Sequence, residues 1–166
     1  MPQSQSTQPP LLSFDHFIGH WAKDRPDRPA LREEDRTLTF GELEERTAKV
    51  ASALLAAGLK KGDRIAWLGK NSDLYYQLFF GAARIGVVMV PVGWRLAPAE
   101  IAYIVNDTKA RLLFMGPGFD AVAEAIRNDL VHVERVLGAE LSQAAREFQA
   151  GLHGGSFSWS AEGVWT

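Results

Sequence analysis

Strand-like and helix-like segments alternate along this chain from Arg64 onward, and that rhythm limits the fold more than any other feature. Residues 64–68, Arg-Ile-Ala-Trp-Leu, read as a short apolar strand. Asn71-Ser72 supplies a cap for a helix to about Arg84, and Gly86 ends it. Residues 87–90, Val-Val-Met-Val, form a β-branched run expected to be buried on both faces, as central parallel strands are. Pro98 stands at the first position of the next helix, ahead of Glu100, Ile101, Tyr103, Ile104 and Val105. Residues 111–115 and 132–137 read as strands, and 119–128 and 139–150 as helices. A strand that recurs after each helix argues for an α/β fold: a mostly parallel sheet flanked by helices on both faces.

The chain before Arg64 is expected to add a helix, a hairpin and a second helix. Ser13 caps a helix to about Lys23, with Phe14, Phe17, Ile18 and Trp21 at helical spacing. Residues 30–32 and 37–39 form the arms of a short β-hairpin turning through Glu33-Glu34-Asp35-Arg36, read as a solvated turn. Thr39 and Glu42 have capping-box spacing, and Leu38 and Leu43 occupy the two positions of a hydrophobic staple. Phe40, Leu43, Thr47, Val50, Ala51, Leu54 and Leu55 make one apolar stripe, closed by Gly58 as a C′ residue. The expected division is a polar lead-in at 1–10, one α/β unit at 11–150, and a Gly/Ser-rich connector at 151–166.

Composition matters here for what it excludes. The sequence has no cysteine, which removes disulfide scaffolds, thiolate metal sites and cysteine nucleophiles. A formal net charge of −2 gives no basic footprint for nucleic acid. The longest apolar run, 85–94, is about half the length that spans a bilayer and contains Pro91, so no transmembrane segment is expected. With no signal-peptide pattern at the start, a cytoplasmic location is expected.

Few residues offer chemistry. Gly69-Lys70-Asn71-Ser72 joins a strand to a helix, but a phosphate loop needs a glycine at position 64 and a hydroxyl after Lys70. Arg64 and Asn71 stand there instead, so the segment reads as a capped join. His16 and His20 lie four apart with no third ligand spaced near them. Tyr75, Tyr76, Phe79 and Phe80 crowd one helix, more in keeping with helix-on-sheet packing than with a substrate pocket. Arg84 reads as a partner for its helix's C-terminal dipole.

Several ordered segments carry a resemblance. They are Leu38-Thr39-Phe40-Gly41-Glu42-Leu43, Leu59-Lys60-Lys61-Gly62-Asp63-Arg64-Ile65-Ala66, Gly69-Lys70-Asn71-Ser72, the run 82–92 ending Val90-Pro91-Val92, and Arg95-Leu96-Ala97-Pro98-Ala99-Glu100-Ile101. In order and spacing the stretch from Leu38 to about Met115 resembles the amino-terminal part of the adenylate-forming (AMP-binding) enzymes. Residues 94–101 are most similar to the acyl-CoA synthetase branch.

The resemblance implies the N-terminal lobe of the acyl-CoA synthetase fold and an amino-terminal fragment of an AMP-forming acyl-CoA ligase. Such an enzyme joins a fatty acid or related carboxylate to ATP, giving an acyl-adenylate, and then passes the acyl group to CoA. ATP, CoA and Mg²⁺ are implied for the full-length enzyme, with none expected on this stretch alone. The family's Thr/Ser/Gly-rich phosphate loop and its carboxy-terminal lysine do not occur in these 166 residues, so the stretch alone is expected to be inactive, with no catalytic or metal-binding residue of its own. Its expected partners are a downstream lobe and a carboxy-terminal domain of the same enzyme. Arg95 matches the Arg of a P-x-N-x-R-L segment that in several CoA ligases lies near the CoA nucleotide phosphates, and Gly93 and Trp94 belong to the same segment. Gly93 replaces the usual Asn. Phe157, Trp159 and Trp165 would form an exposed apolar patch, from which a homo-oligomer is expected. The alternative function is a stand-alone, non-catalytic α/β module that binds CoA or a partner. An unrelated flavodoxin- or receiver-like domain is a weaker fit, because a receiver's acidic pair and phosphorylatable Asp have no place here.

Overall fold

A computed structural model describes residues 14–138. Two helices and a hairpin come first: α1 (Phe14–Asp24), β1 (Pro29–Glu33), β2 (Arg36–Thr39) and α2 (Phe40–Ala56). Thr39 Oγ1 accepts from Glu42 N at 3.3 Å, and the Glu42 carboxylate accepts from Thr39 N at 2.8 Å, completing the expected capping box. Gly58, with φ of 81°, takes the left-handed turn that ends α2. Its neighbour Leu59 donates back to Leu54 O.

Then strands and helices alternate: β3 (Arg64–Leu68), α3 (Asp73–Arg84), β4 (Val88–Val92), α4 (Pro98–Asp107), β5 (Leu112–Met115), α5 (Asp120–Ile126), a 3-10 turn at Arg127–Asp129, and β6 (Arg135–Gly138). The four later strands form a parallel sheet in the order β4-β3-β5-β6. Alternate side chains of one strand feed opposite cores. Ile65, Trp67, Leu112 and Phe114 pack against Val50 and Leu54 of α2 and Leu74, Leu78 and Ala82 of α3. Ala66, Leu68, Leu113 and Met115 pack against Ile101, Ala102 and Val105 of α4 and Ala123 and Ile126 of α5. Helices therefore cover both faces, as the alternation required.

Several details depart from the sequence reading. Among the described residues β4 is an edge strand, and Val88 is 50% exposed. A β-branched run reports strand propensity, whereas which strand is central depends on strand order. Leu55 leaves the expected stripe and is 54% exposed. Arg84, although in the last turn of α3, reaches across to α2: its two Nη atoms donate to the Glu44 carboxylate at 2.8 and 2.9 Å, and Nη1 also to Thr47 Oγ1. Glu33 is not simply a solvated turn residue. Its carboxylate accepts from Arg36 Nη2 at 3.1 Å and from Asp73 N at 2.7 Å, tying the hairpin to the start of α3. β6 begins at Arg135 rather than at 132, and α5 is shorter than expected. The expected lead-in, the 139–150 helix and the aromatic tail lie outside the described residues.

Arg111 closes the amino end of the sheet. It donates to Glu134 at 2.6 and 3.2 Å, to Asp63 at 2.7 Å and to Gly58 O at 3.1 Å. The Lys60 amide, and then Arg111, hold the Asp63 carboxyl below the usual carboxylate range, and Arg111 does the same for Glu134. Lowered folded-state values stabilise the fold above the ordinary carboxylate pKa, and that gain is lost as pH falls through the lowered values. Arg111→Met is therefore expected to lower the urea midpoint at neutral pH and to flatten its decline between about pH 5 and pH 2. Equal steepness in variant and wild type would show that Arg111 does not set these carboxyls.

Candidate functional site

Register places three glycines side by side at the carboxyl end of the sheet. Leu68 pairs with Val92 on one side and Met115 on the other, and each is followed by glycine: Gly69, Gly93 and Gly116. The backbones close in at this point. A Cβ on Gly69 would lie 3.0 Å from Gly116 N and 3.1 Å from both Gly116 Cα and Trp67 Cε2. Gly116 N in turn donates to Leu68 O at 2.9 Å. From β3 the chain turns into α3 on one face, while β4 and β5 turn into α4 and α5 on the other. In an open parallel sheet, loops that diverge in this way leave a crevice at the strands' carboxyl ends, where ligands bind.

Three loops rim that crevice. The 69–72 loop carries Lys70 and ends at Ser72, whose Oγ accepts from Tyr75 N at 3.2 Å to cap α3. The 93–97 loop carries Trp94 and Arg95. Leu96 N donates to Gly93 O at 3.1 Å, and the Glu100 carboxylate accepts from Ala97 N at 2.8 Å, so the loop is held at both ends. The 116–119 loop brings Phe119 against Trp94, ring centroids 6.2 Å apart and nearly edge-to-face.

Trp94 is the meeting point. It is 37% exposed, with the Arg95 guanidinium carbon 4.5 Å and Lys70 Nζ 5.5 Å from its ring centroid. Both distances fall within cation–π reach. Gly93 lets Leu96 fold back over it, since a Cβ there would sit 3.2 Å from Leu96 Cδ1. Beneath the rim, Trp67 is buried with Tyr75 edge-on at 6.1 Å. Its indole N–H has no hydrogen-bond partner among the described residues. Burial pushes the Asp73 carboxyl, at the start of α3, above its usual range; Glu33 adds to the rise and Arg36 opposes it.

Sequence reasoning had already singled out Gly93, Trp94 and Arg95, and they stand together here. It set Lys70 aside with the rejected phosphate loop and overlooked Phe119. The signal for both was the glycine after each strand, because in-register parallel strands bring the residues that follow them to one edge. His16 and His20 lie on α1, on none of these three loops, and His20 packs edge-on to Trp21 at 5.2 Å. Among the described residues no three His, Cys, Asp or Glu side chains gather to hold a metal ion. No helix among them is long and apolar enough to cross a membrane.

A parallel sheet covered on both faces, with a cationic and aromatic rim at its carboxyl edge, defines an open α/β domain of the class whose ligands bind outside the carboxyl ends of the strands. The chain belongs to the AMP-binding enzyme family, whose family pattern matches residues 18–155. It is 47% identical over 116 residues to the fatty acid–[acyl-carrier-protein] ligase ScoC of Streptomyces coeruleorubidus, covering 70% of this chain and 22% of that protein. It is 33% identical over 146 residues to the 3-hydroxybenzoate–CoA ligase of Aromatoleum sp. (strain CIB), covering 85% of this chain and 28% of that protein. The inhibitor-bound N-terminal domain of FACL13 from Mycobacterium tuberculosis superposes with a TM-score of 0.73 at 31% identity, over 76% of this chain and 33% of that one. The chain thus spans less than a third of the length of the curated relatives it matches.

Proposed function

We propose that the full-length protein is an ATP-dependent, AMP-forming acyl ligase acting on a fatty acid or related carboxylate, and that this chain is its amino-terminal lobe. A carboxylate oxygen is a poor leaving group. Its attack on the α-phosphorus of ATP expels pyrophosphate and leaves an acyl-adenylate, whose acyl carbon then takes the acceptor's sulfur and releases AMP. The triphosphate and metal parts belong to the rest of the enzyme, and residues 11–150 act as the unit that this rest packs against, with 151–166 leading toward it.

The observation that carries this reading is Arg95: exposed, at the carboxyl edge of the sheet and held over Trp94, with no carboxylate partner among the described residues. A planar guanidinium matches phosphate oxygens with two parallel hydrogen bonds, which suits it to the phosphates of CoA. The name of the 47%-identical relative favours a second acceptor, the thiol of an acyl carrier protein. A cytoplasmic enzyme that forms homo-oligomers completes the proposal.

The test is carboxylate-dependent pyrophosphate release from ATP. The full-length protein is expected to show it with one or more fatty or aryl acids, and the 166-residue chain to show none. Silence from the full-length protein across both acid classes, or release by the short chain, would overturn the proposal.

A further inference from the structure

Two like charges share one aromatic ring at the sheet's carboxyl edge, and nothing in the described structure neutralises them. Several arginines among the described residues are answered by carboxylates: Arg36 by Glu33, Arg84 by Glu44, Arg111 by Asp63 and Glu134. Lys70 and Arg95 come from different loops, after β3 and after β4, and both stand over Trp94 without an anionic partner among the described residues. Because both lie near the same ring centroid, the two charges are no more than about 10 Å apart, and an anion between them would be attracted by both. The indole compensates only in part, because a cation–π contact at an exposed site contributes about 0.5–1 kcal/mol.

The ring is itself fixed. Phe119 packs against Trp94 from the loop after β5, so all three loops of the crevice meet at this indole. The Gly69–Gly116 contact sets how far the Lys70 loop stands from the Phe119 loop. Pairing a compact ammonium on a flexible stem with a planar guanidinium suits a phosphate group. Arg supplies the two-pronged contact, and Lys supplies a point charge that follows the remaining oxygens.

We propose that Lys70 is the second cation of the acceptor-phosphate site, and that Lys70 and Arg95, positioned on the Trp94 ring, together bind the phosphate of a phosphopantetheine thiol. The inference rests on the ligase reading above, and it assigns to Lys70 and Trp94 roles which that reading does not require. CoA and a phosphopantetheinylated carrier protein both present this phosphate.

The experiment uses the full-length enzyme with Lys70→Gln and Lys70→Arg. Acceptor KM is measured in one arm with CoA and in a second with a phosphopantetheinylated acyl carrier protein. ATP–pyrophosphate exchange, which needs no acceptor, is followed on the same samples. Lys70→Gln is expected to raise the acceptor KM about tenfold, the size of one lost charge-assisted contact, and Lys70→Arg to stay within about twofold of wild type. The arm in which the rise occurs identifies the source of the phosphate. An unchanged KM with both acceptors overturns the role of Lys70 and leaves the ligase reading standing. A fall in exchange as large as the rise in KM also overturns it, because the effect would then be structural. Absence of exchange in the wild-type enzyme overturns the ligase reading instead.

Discussion

Gly81→Ala is expected to destabilise the domain by about 3 kcal/mol, although alanine is the better helix former by about 1 kcal/mol. Gly81 lies in α3 where that helix crosses α2. A Cβ built on it would stand 2.5 Å from Val50 Cγ1, 2.6 Å from Val50 Cβ and 3.1 Å from Thr47 O. Two of those atoms, a backbone oxygen and a Cβ, move only if α2 itself moves. Val50 lines the core against β3, so displacing α2 would open one whole face of the sheet. The comparison is Gly19→Ala in α1, whose Cβ would meet only the Glu44 carboxylate oxygens at 3.9 and 4.0 Å. Urea unfolding should find Gly19→Ala within about 0.5 kcal/mol of wild type or slightly more stable. An undiminished midpoint for Gly81→Ala would mean that α2 and α3 are not locked as described.

The second large effect concerns the crevice. Gly69 and Gly116 face each other, yet only one needs to be glycine. A Cβ on Gly69 meets Gly116 backbone at 3.0 Å, whereas a Cβ on Gly116 meets Trp67 Cζ2 at 3.4 Å and Gly69 Cα at 3.5 Å, ordinary contact. Gly69→Ala is expected to cost about 2 kcal/mol, and Gly116→Ala less than about 0.5 kcal/mol. Because Gly69 opens the loop that carries Lys70, the same substitution should lift Lys70 away from Trp94. The acceptor KM of the full-length enzyme should then rise in Gly69→Ala and hold in Gly116→Ala. Equal damage from the two substitutions would refute the asymmetric contact.

Much of this architecture was readable from short-range signals. The Thr39/Glu42 capping box, the Ser72 cap, Pro98 at the start of α4 and the Gly58 turn all act within one helical turn, so the residues concerned are neighbours in sequence. The alternation from Arg64 onward likewise reported a covered parallel sheet, because a parallel crossover needs the intervening helix. Arg95, Trp94 and Gly93 were found through family resemblance rather than through periodicity.

What the sequence did not show is equally specific. Arg84 meets Glu44 across 40 positions, and Glu33 meets the Asp73 amide across the same span. No local pattern marks either pair. A β-branched run at the start of β4 says strand but not edge or centre, because burial is set by neighbours arriving from elsewhere in the chain.

The sequence determined the elements, their caps, the parallel sheet and the family to which the chain belongs, since each rests on interactions a few residues long or on ordered motifs. Tertiary structure decided the site. Lys70, Trp94 and Phe119 follow three different strands, and they come together because β3 lies between β4 and β5 in a register that ends all three strands level, each just before a glycine. Strand order is settled by how two cores fill at once, a property of the whole sheet that no single segment carries.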